Sequence, residues 1–188
     1  MSGRFALAFA AMMCATGCAF DLGGAVGIET QTAHAVGYGR AAVSTRIGSP
    51  LNERGFLLGA ALESRSETDK GARWLAGAMF GWGLGPSSIG GGPVGFDIYG
   101  EVGTPLRSTL VANGDHYLGI GVDTPIRLQA RRNIEDLNES TWLLLRRFEI
   151  VPFTRFRVHH DFGGPAFDAR PDVSGGAAIR MRTLNDLF

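Results

Sequence analysis

The chain has 188 residues, 18 of them basic and 18 acidic, so its formal net charge is zero. This balance excludes the strongly basic surface that nucleic-acid binding requires, and the length fits a single domain. The only two cysteines, Cys14 and Cys18, lie near the amino terminus, so the remainder of the chain can build neither a disulfide nor a cysteine metal site.

The first seventeen residues have the layout of a secretory signal peptide. Arg4 precedes an apolar run over residues 5–13, and small residues follow it. The apolar region of a signal peptide takes about 7–15 residues, whereas a membrane-spanning helix needs about 20. We therefore predict that residues 1–17 are a cleaved export signal.

The end of this leader, Ala15-Thr16-Gly17-Cys18, resembles the lipobox of bacterial lipoproteins, in which a small residue precedes the cysteine that becomes the mature amino terminus. The resemblance implies that Cys18 is the lipid attachment site and that it can be labelled with palmitate. It also implies sorting to the outer membrane, because Ala19 stands where inner-membrane lipoproteins carry Asp. Ordinary signal-peptidase cleavage after Gly17 or Ala19 is the alternative.

Residues 18–34 carry a weaker pattern, and we leave them open between a tether for the lipid anchor and a first strand. From residue 35 to residue 188 apolar and polar residues alternate in short runs separated by turn signals, which is typical of β-strands. Predicted strands lie at 35–47, 55–65, 72–84, 93–103, 116–128, 148–158 and 175–183, and the apolar run 141–145 either adds a strand or continues into the next one. We predict an all-β fold, an antiparallel up-and-down β-barrel of about eight strands occupying 35–188.

Glycine and proline agree with this fold. The chain contains 28 glycines, about twice the usual share of roughly 7%, which is typical of strongly curved sheets. Pro125 and Pro152 predict bulges or strand ends. The glycine-rich stretch 85–92 lacks the Gly-Lys-Ser/Thr ending of a phosphate-binding loop, so we interpret it as a hairpin connection. Residues 160–172 are predicted to form another loop.

Each strand has one apolar and one polar face, and the direction of these faces separates two functions. Val94, Phe96 and Ile98 lie opposite Asp97 and Tyr99, for example. An apolar face that points outward indicates a membrane barrel, and one that points inward indicates a lipocalin-like barrel. We favour the membrane barrel because the polar face carries both charge signs, which can pair inside a narrow lumen; its charged members are Asp97, Glu101, Asp123, Arg127, Glu149, Arg155 and Arg157.

In this alternation the predicted barrel, residues 35–188, resembles the small outer-membrane β-barrel proteins of Gram-negative bacteria. Phe188 matches the aromatic residue with which those proteins usually end. The resemblance implies a partner in the lipid bilayer. Arg131-Arg132 and Arg146-Arg147 are candidate ligands of lipopolysaccharide phosphates, because arginine binds phosphate bidentately, but we favour their interpretation as solvated charges at strand ends. The membrane interpretation is also favoured by Tyr99, Tyr117, Trp82 and Trp142, which the predicted strands place near their ends, where the aromatic girdles of membrane barrels lie.

Two groups of residues are candidates for catalytic or metal chemistry. His159-His160-Asp161 is the densest cluster, but adjacent strand residues point to opposite faces, so we predict a solvated strand end and no metal site. His116, Asp123 and Ser108 can be drawn together as a hydrolase triad, although no spacing requires it. His34 is predicted to be structural or exposed.

We accordingly predict an outer-membrane-associated barrel lipoprotein of the bacterial envelope, with a structural or interaction role, no catalytic residue, no cofactor and no nucleic-acid partner. A lipid-anchored lipocalin-like module, facing the periplasm and binding a small apolar ligand, is the alternative. An envelope lipid-modifying enzyme is the second alternative.

Overall fold

The structure, a computed structural model, describes residues 18–30, 33–49, 54–67, 71–85, 93–106, 115–127, 148–161 and 169–182. All the regular elements in these ranges are β-strands. They are β1 (Cys18–Glu29), β2 (His34–Ser49), β3 (Arg54–Glu67), β4 (Gly71–Leu84), β5 (Phe96–Pro105), β6 (Asp115–Asp123), β7 (Ile126–Arg127), β8 (Phe148–Asp161) and β9 (Ala169–Arg182).

The strands form one closed antiparallel barrel, which confirms the predicted fold class. The sheet runs β6-β5-β4-β3-β2-β1-β9-β8-β7, and an additional pairing of β6 with β8 closes it. Eight long strands make the wall. The two-residue β7 follows β6 after Thr124-Pro125 and pairs with the first residues of β8, while Ile126 also forms a bridge with Val94.

The stagger of the strands fixes the width of the barrel. A path that follows paired residues perpendicular to the strands starts at Ala19 on β1, crosses all eight long strands and returns to β1 at Glu29, ten residues further along. Such a stagger tilts the strands by about 40° to the barrel axis, and an eight-stranded barrel has an interior just wide enough for side chains to fill.

The segment that sequence patterns left open between a tether and a first strand contains β1. This strand begins at Cys18, whose backbone pairs with Thr45, and its far side pairs with β9. The proposed leader at residues 1–17 lies outside the described residues.

Two predictions on strand limits were wrong. The predicted loop 160–172 contains the end of β8 and the start of β9, which begins at Ala169 instead of residue 175. Pro152 was expected at a bulge or strand end but lies inside β8. Its carbonyl accepts a hydrogen bond from the N–H of Thr124, so its missing donor faces the interruption between β6 and β7, where proline is tolerated.

The apolar faces of the strands point outward and the polar faces point into the lumen. Exposed outward side chains include Phe20, Leu22, Val26, Ile28, Phe56, Leu62, Trp74, Phe80, Trp82, Phe96, Ile98, Leu118, Ile120, Phe156, Val173 and Ile179. Among the outward strand positions whose side chains are described, only Arg54, the first residue of β3, carries Asp, Glu, Lys or Arg. The buried inward positions, by contrast, are rich in Asp, Glu and Arg.

Close strand packing on the lumen side makes one glycine position intolerant of a side chain. A Cβ on Gly81 would meet the backbone of Ile98 and Tyr99 at less than van der Waals distance, whereas a Cβ on Gly175 would meet only the carbonyl of Phe153, at 3.7 Å. We expect Gly81→Ala to lower the free energy of unfolding by about 1–3 kcal/mol. Gly175→Ala, the matched control, should leave it unchanged or raise it by about 0.4–1 kcal/mol.

Urea unfolding followed by tryptophan fluorescence measures both variants. Equal midpoints for Gly81→Ala and Gly175→Ala would contradict the close contact of β4 and β5.

Candidate functional site: the charged lumen

The lumen is filled with ionisable side chains that are shielded from solvent. Burial of a charge in a protein is tolerated only when it is paired or hydrogen-bonded. The buried charged residues of the described strands are Asp21, Glu29, Arg40, Glu63, Arg65, Asp97, Glu101, Asp123, Glu149, Arg155, Arg157, Asp172 and Arg180, and His159 is buried among them. They come from seven of the eight long strands, so their contacts tie opposite sides of the wall together.

Glu63 on β3 is the centre of the largest cluster. It accepts two hydrogen bonds from the guanidinium of Arg157 on β8, at 2.6 and 2.7 Å. It also pairs with Arg40 on β2 at 3.0 Å and with Arg155 on β8 at 3.4 Å. One carboxylate thereby holds three arginines from two other strands, and β3 and β8 are joined across the lumen.

Glu101 on β5 is the second carboxylate of this cluster. It accepts a hydrogen bond from Nε of Arg157 at 2.5 Å and lies 3.3 Å from Arg40. The rings of Tyr38 and Tyr117 lie beside the Arg157 guanidinium, at 5.4 and 4.4 Å from their centroids. Arg157 is therefore held both by ion pairs and by cation–π contacts, which are strongest where water is excluded.

A second cluster lies nearer the end of the barrel at which β1 begins. Arg180 on β9 donates to Asp21 at 2.7 and 2.9 Å, to Asp97 at 2.8 Å and to Asp123 at 3.0 Å. Arg46 on β2 adds a 2.5 Å contact to Asp97. Three carboxylates from β1, β5 and β6 thus converge on the arginine of a fourth strand, β9.

Tyr99 connects the two clusters. Its hydroxyl donates to Asp123 at 2.8 Å and accepts a hydrogen bond from Nε of Arg155 at 3.3 Å. A third group lies toward the opposite end of the barrel, where Asp172 accepts hydrogen bonds from the hydroxyl of Tyr38 and from Nε2 of His159, the latter at 3.2 Å.

The alternation of residues explains how these side chains meet. Small residues occupy inward positions beside the large side chains of the lumen. A Cβ on Gly103 would collide with the Tyr117 ring, and a Cβ on Gly121 would collide with the Tyr99 ring. Glycine in these positions makes room for a tyrosine from a neighbouring strand. The many glycines on the polar faces were therefore a signal of a crowded lumen.

The polar-face charges named from the sequence are confirmed as lumen residues, and the predicted pairing inside the lumen is present. Arg127 and Glu149, for instance, lie 3.5 Å apart. Four further lumen charges, Arg40, Glu63, Arg65 and Arg180, were not predicted from the sequence as members of this network. The signal that could have identified them is their position in the alternating pattern, since each lies on the polar face of its strand.

Two site predictions were wrong. Tyr99 and Tyr117 face the lumen and do not form part of a membrane girdle. Each lies on the same face of its strand as the charged residues, because strand residues two positions apart point the same way. His159 is buried against Asp172 instead of lying at a solvated strand end. His116 and Asp123, two members of the hydrolase triad considered from the sequence, lie at opposite ends of β6 and on opposite faces of the strand. The structure therefore does not bring these two residues together.

Several predicted residues lie outside the described part of the chain. They are Trp142, Ser108, Phe188, the arginine pairs 131–132 and 146–147, the run 141–145 and positions 86–92 of the glycine-rich stretch. The side chains of Cys18 and Asp161 also lie outside the description. In the described ranges, no group of three or more His, Cys, Asp or Glu side chains is arranged to hold a metal ion.

Comparisons with known proteins give no relative. No family model matches the chain, and neither a curated protein nor a solved structure matches it significantly. Within the described ranges, no helix has the length and apolar character to cross a bilayer.

The ion pairs of the lumen join strands on different sides of the wall. Replacing one partner of a buried ion pair leaves the other charge without compensation and costs about 3–5 kcal/mol. We expect Glu63→Gln to lower the free energy of unfolding by about this amount, because three arginines lose a carboxylate partner at once. Glu29→Gln is the matched control; the 3.6 Å contact of Glu29 with Arg65 is longer than a hydrogen bond, so less pairing energy is lost and we expect a cost of about 1–2 kcal/mol.

Urea unfolding of the two variants under identical conditions measures this difference. A double-mutant cycle between Glu63→Gln and Arg157→Gln isolates the coupling of that pair. Equal costs for Glu63→Gln and Glu29→Gln would show that the lumen network has no centre at Glu63.

Proposed function

We propose that this protein is an integral outer-membrane β-barrel of the bacterial envelope with a structural or interaction role. The observation that carries the proposal is the reversed polarity of the barrel, with an apolar outer surface around a charged lumen. A barrel in water would place these faces the other way, since apolar burial is the main favourable term in folding. In a bilayer the same arrangement buries the apolar side chains in lipid.

The extent of the apolar surface supports a membrane environment. Soluble monomers rarely expose contiguous apolar patches larger than a few hundred Å². Here large apolar side chains are exposed on every long strand; two examples are Leu118, which is 63% exposed, and Ile179, which is 60% exposed. The surface therefore continues around the whole barrel, as contact with lipid on all sides requires.

Outward aromatic residues lie near both ends of this surface, and Phe80 and Phe156 lie between them. Outward aromatic side chains gather near the end of the barrel at which β1 begins, at Phe20, Phe56, Trp82 and Phe96. Trp74 lies toward the other end of β4, eight residues from Trp82. At a tilt of about 40°, eight residues span about 20 Å along the barrel axis, comparable with the apolar band of about 25 Å of membrane barrels.

The crowded lumen favours a structural or interaction role over transport. Eight-stranded barrels have no room for an aqueous channel when side chains fill them, and here paired charges occupy the interior. The same charges give the lipocalin-like alternative less support, because an apolar ligand would have to displace ion pairs that bridge the wall. The enzyme alternative loses its proposed triad because His116 and Asp123 do not meet.

Lipid attachment at Cys18 is compatible with this geometry. Cys18 is the first residue of β1, and Phe20 two residues later is one of the outward aromatic residues. A lipid-modified amino terminus at Cys18 would therefore begin directly at the first strand of the barrel wall. We propose cleavage of the leader after residue 17, lipidation of Cys18 and an outer-membrane location.

A charge placed in the middle of the outer surface separates a membrane barrel from a soluble one. Ile120 lies in the central part of the wall and is 57% exposed, while Ile28 lies near the end of β1 and is 56% exposed. In a bilayer we expect Ile120→Arg to cost about 2–4 kcal/mol and Ile28→Arg about 0–1 kcal/mol. On a soluble barrel both substitutions place arginine in water, and both costs should be close to zero.

Folding from urea into phospholipid vesicles, followed by the gel shift between boiled and unboiled samples, measures these costs. Failure of the wild-type chain to insert, together with folding in lipid-free buffer, would refute the membrane barrel.

Substitution of Cys18 tests the anchor. We expect radiolabelled palmitate to be incorporated into the wild-type protein and not into Cys18→Ser, with Cys14→Ser as the matched control that keeps its label. Label that persists in Cys18→Ser would place the modification elsewhere, and no label in the wild type would favour ordinary signal-peptidase cleavage.

A further inference from the structure

The register of β6 and β8 brings together two histidines that lie 44 positions apart in the sequence. His116 and His160 are directly opposite each other in this antiparallel pair. Directly opposite residues of antiparallel strands have Cβ atoms about 4.5–5.5 Å apart and side chains on the same face of the sheet. The two imidazoles therefore share one patch of the barrel surface.

The neighbouring pair shows which face this is. Tyr117 and His159, the next residues along both strands, are also opposite each other, and their rings lie in the lumen with centroids 5.6 Å apart. Because successive side chains of a strand alternate between faces, His116 and His160 point to the outer surface. Both are partly exposed there, at the end of the barrel away from Cys18.

We propose that His116 and His160 chelate a divalent transition-metal ion on the outer rim of the barrel. Imidazole nitrogen suits Zn²⁺, Cu²⁺ and Ni²⁺, whereas Mg²⁺ and Ca²⁺ prefer oxygen ligands. With two protein ligands, the remaining coordination positions of the metal are filled by water or by an anion from solution. The pair is distinct from His159-His160, whose side chains lie on opposite sides of the wall.

The lumen histidine does not compete for this ion. His159 is fully buried and contacts Asp172 on the other side of the wall, so the rim pair is the part of the histidine cluster that an ion can reach. Outward residues next to the pair on the same strands, Leu118 and Val158, are apolar and supply no ligand. The site requires only the register of β6 and β8, and it is the same whether or not the barrel lies in a membrane.

Titration of the purified full-length chain, prepared without a polyhistidine tag, tests the site. We expect Ni²⁺ or Zn²⁺ to bind with a stoichiometry of one per chain in isothermal titration calorimetry. His116→Asn and His160→Asn should each weaken this binding at least tenfold, because loss of even an outer-shell partner of a metal ligand costs about 10–100-fold. His34→Asn is the matched control, since His34 is an exposed histidine at the same end of the barrel on β2.

Electron paramagnetic resonance of bound Cu²⁺ gives a second readout that a change in folding would not mimic. Two equivalent nitrogen ligands in the wild type, reduced to one in either single variant, would support the chelate. Wild-type affinity in the His116→Asn/His160→Asn double variant, or an equal loss in His34→Asn, would overturn the proposal. Circular dichroism of each variant shows that the barrel has formed.

Discussion

The bidentate contact between Glu63 and Arg157 is the interaction on which the rest of the architecture depends. It joins β3 to β8 across the lumen, and Arg40, Arg155 and Glu101 are organised around it. A buried carboxylate and a buried guanidinium are each costly alone, so the sheet must close in the one register that brings them together. Buried pairing thereby supports the specificity of barrel closure as well as its stability.

This network also explains why the outer surface can be so apolar. A barrel of this size has little interior volume, and that volume is filled by arginines, carboxylates and tyrosines, leaving no central place for most of the large aliphatic side chains. Those side chains lie on the outside of the wall, where only an apolar environment stabilises them. The membrane barrel that we propose follows from these two faces taken together.

The proposed metal site on the outer rim is separate from the ion-pair network of the lumen. His116 and His160 owe their proximity to strand register, and their neighbours Tyr117 and His159 belong to the lumen packing. One pair of strands thus contributes to the internal network through one set of residues and presents the proposed metal-binding site through the next. Barrel closure fixes both, since β6 and β8 are the strands whose pairing completes the cylinder.

The sequence by itself determined that the fold is all-β, and it determined the two faces of each strand, because alternation is a local property of the chain. It also gave the number of long strands to within one of the observed eight. It also identified Asp97, Glu101, Arg155 and Arg157 as members of one polar face. It did not decide whether that face pointed in or out, it misplaced Tyr99 and Tyr117, and it did not bring His116 to His160. The direction of the faces depends on which side chains fill the closed lumen, and Tyr99 and Tyr117 follow it because they alternate in step with the charged residues of their strands. The pairing of His116 with His160 depends on the register of β6 and β8, and such a register between distant strands exists only once the barrel is closed.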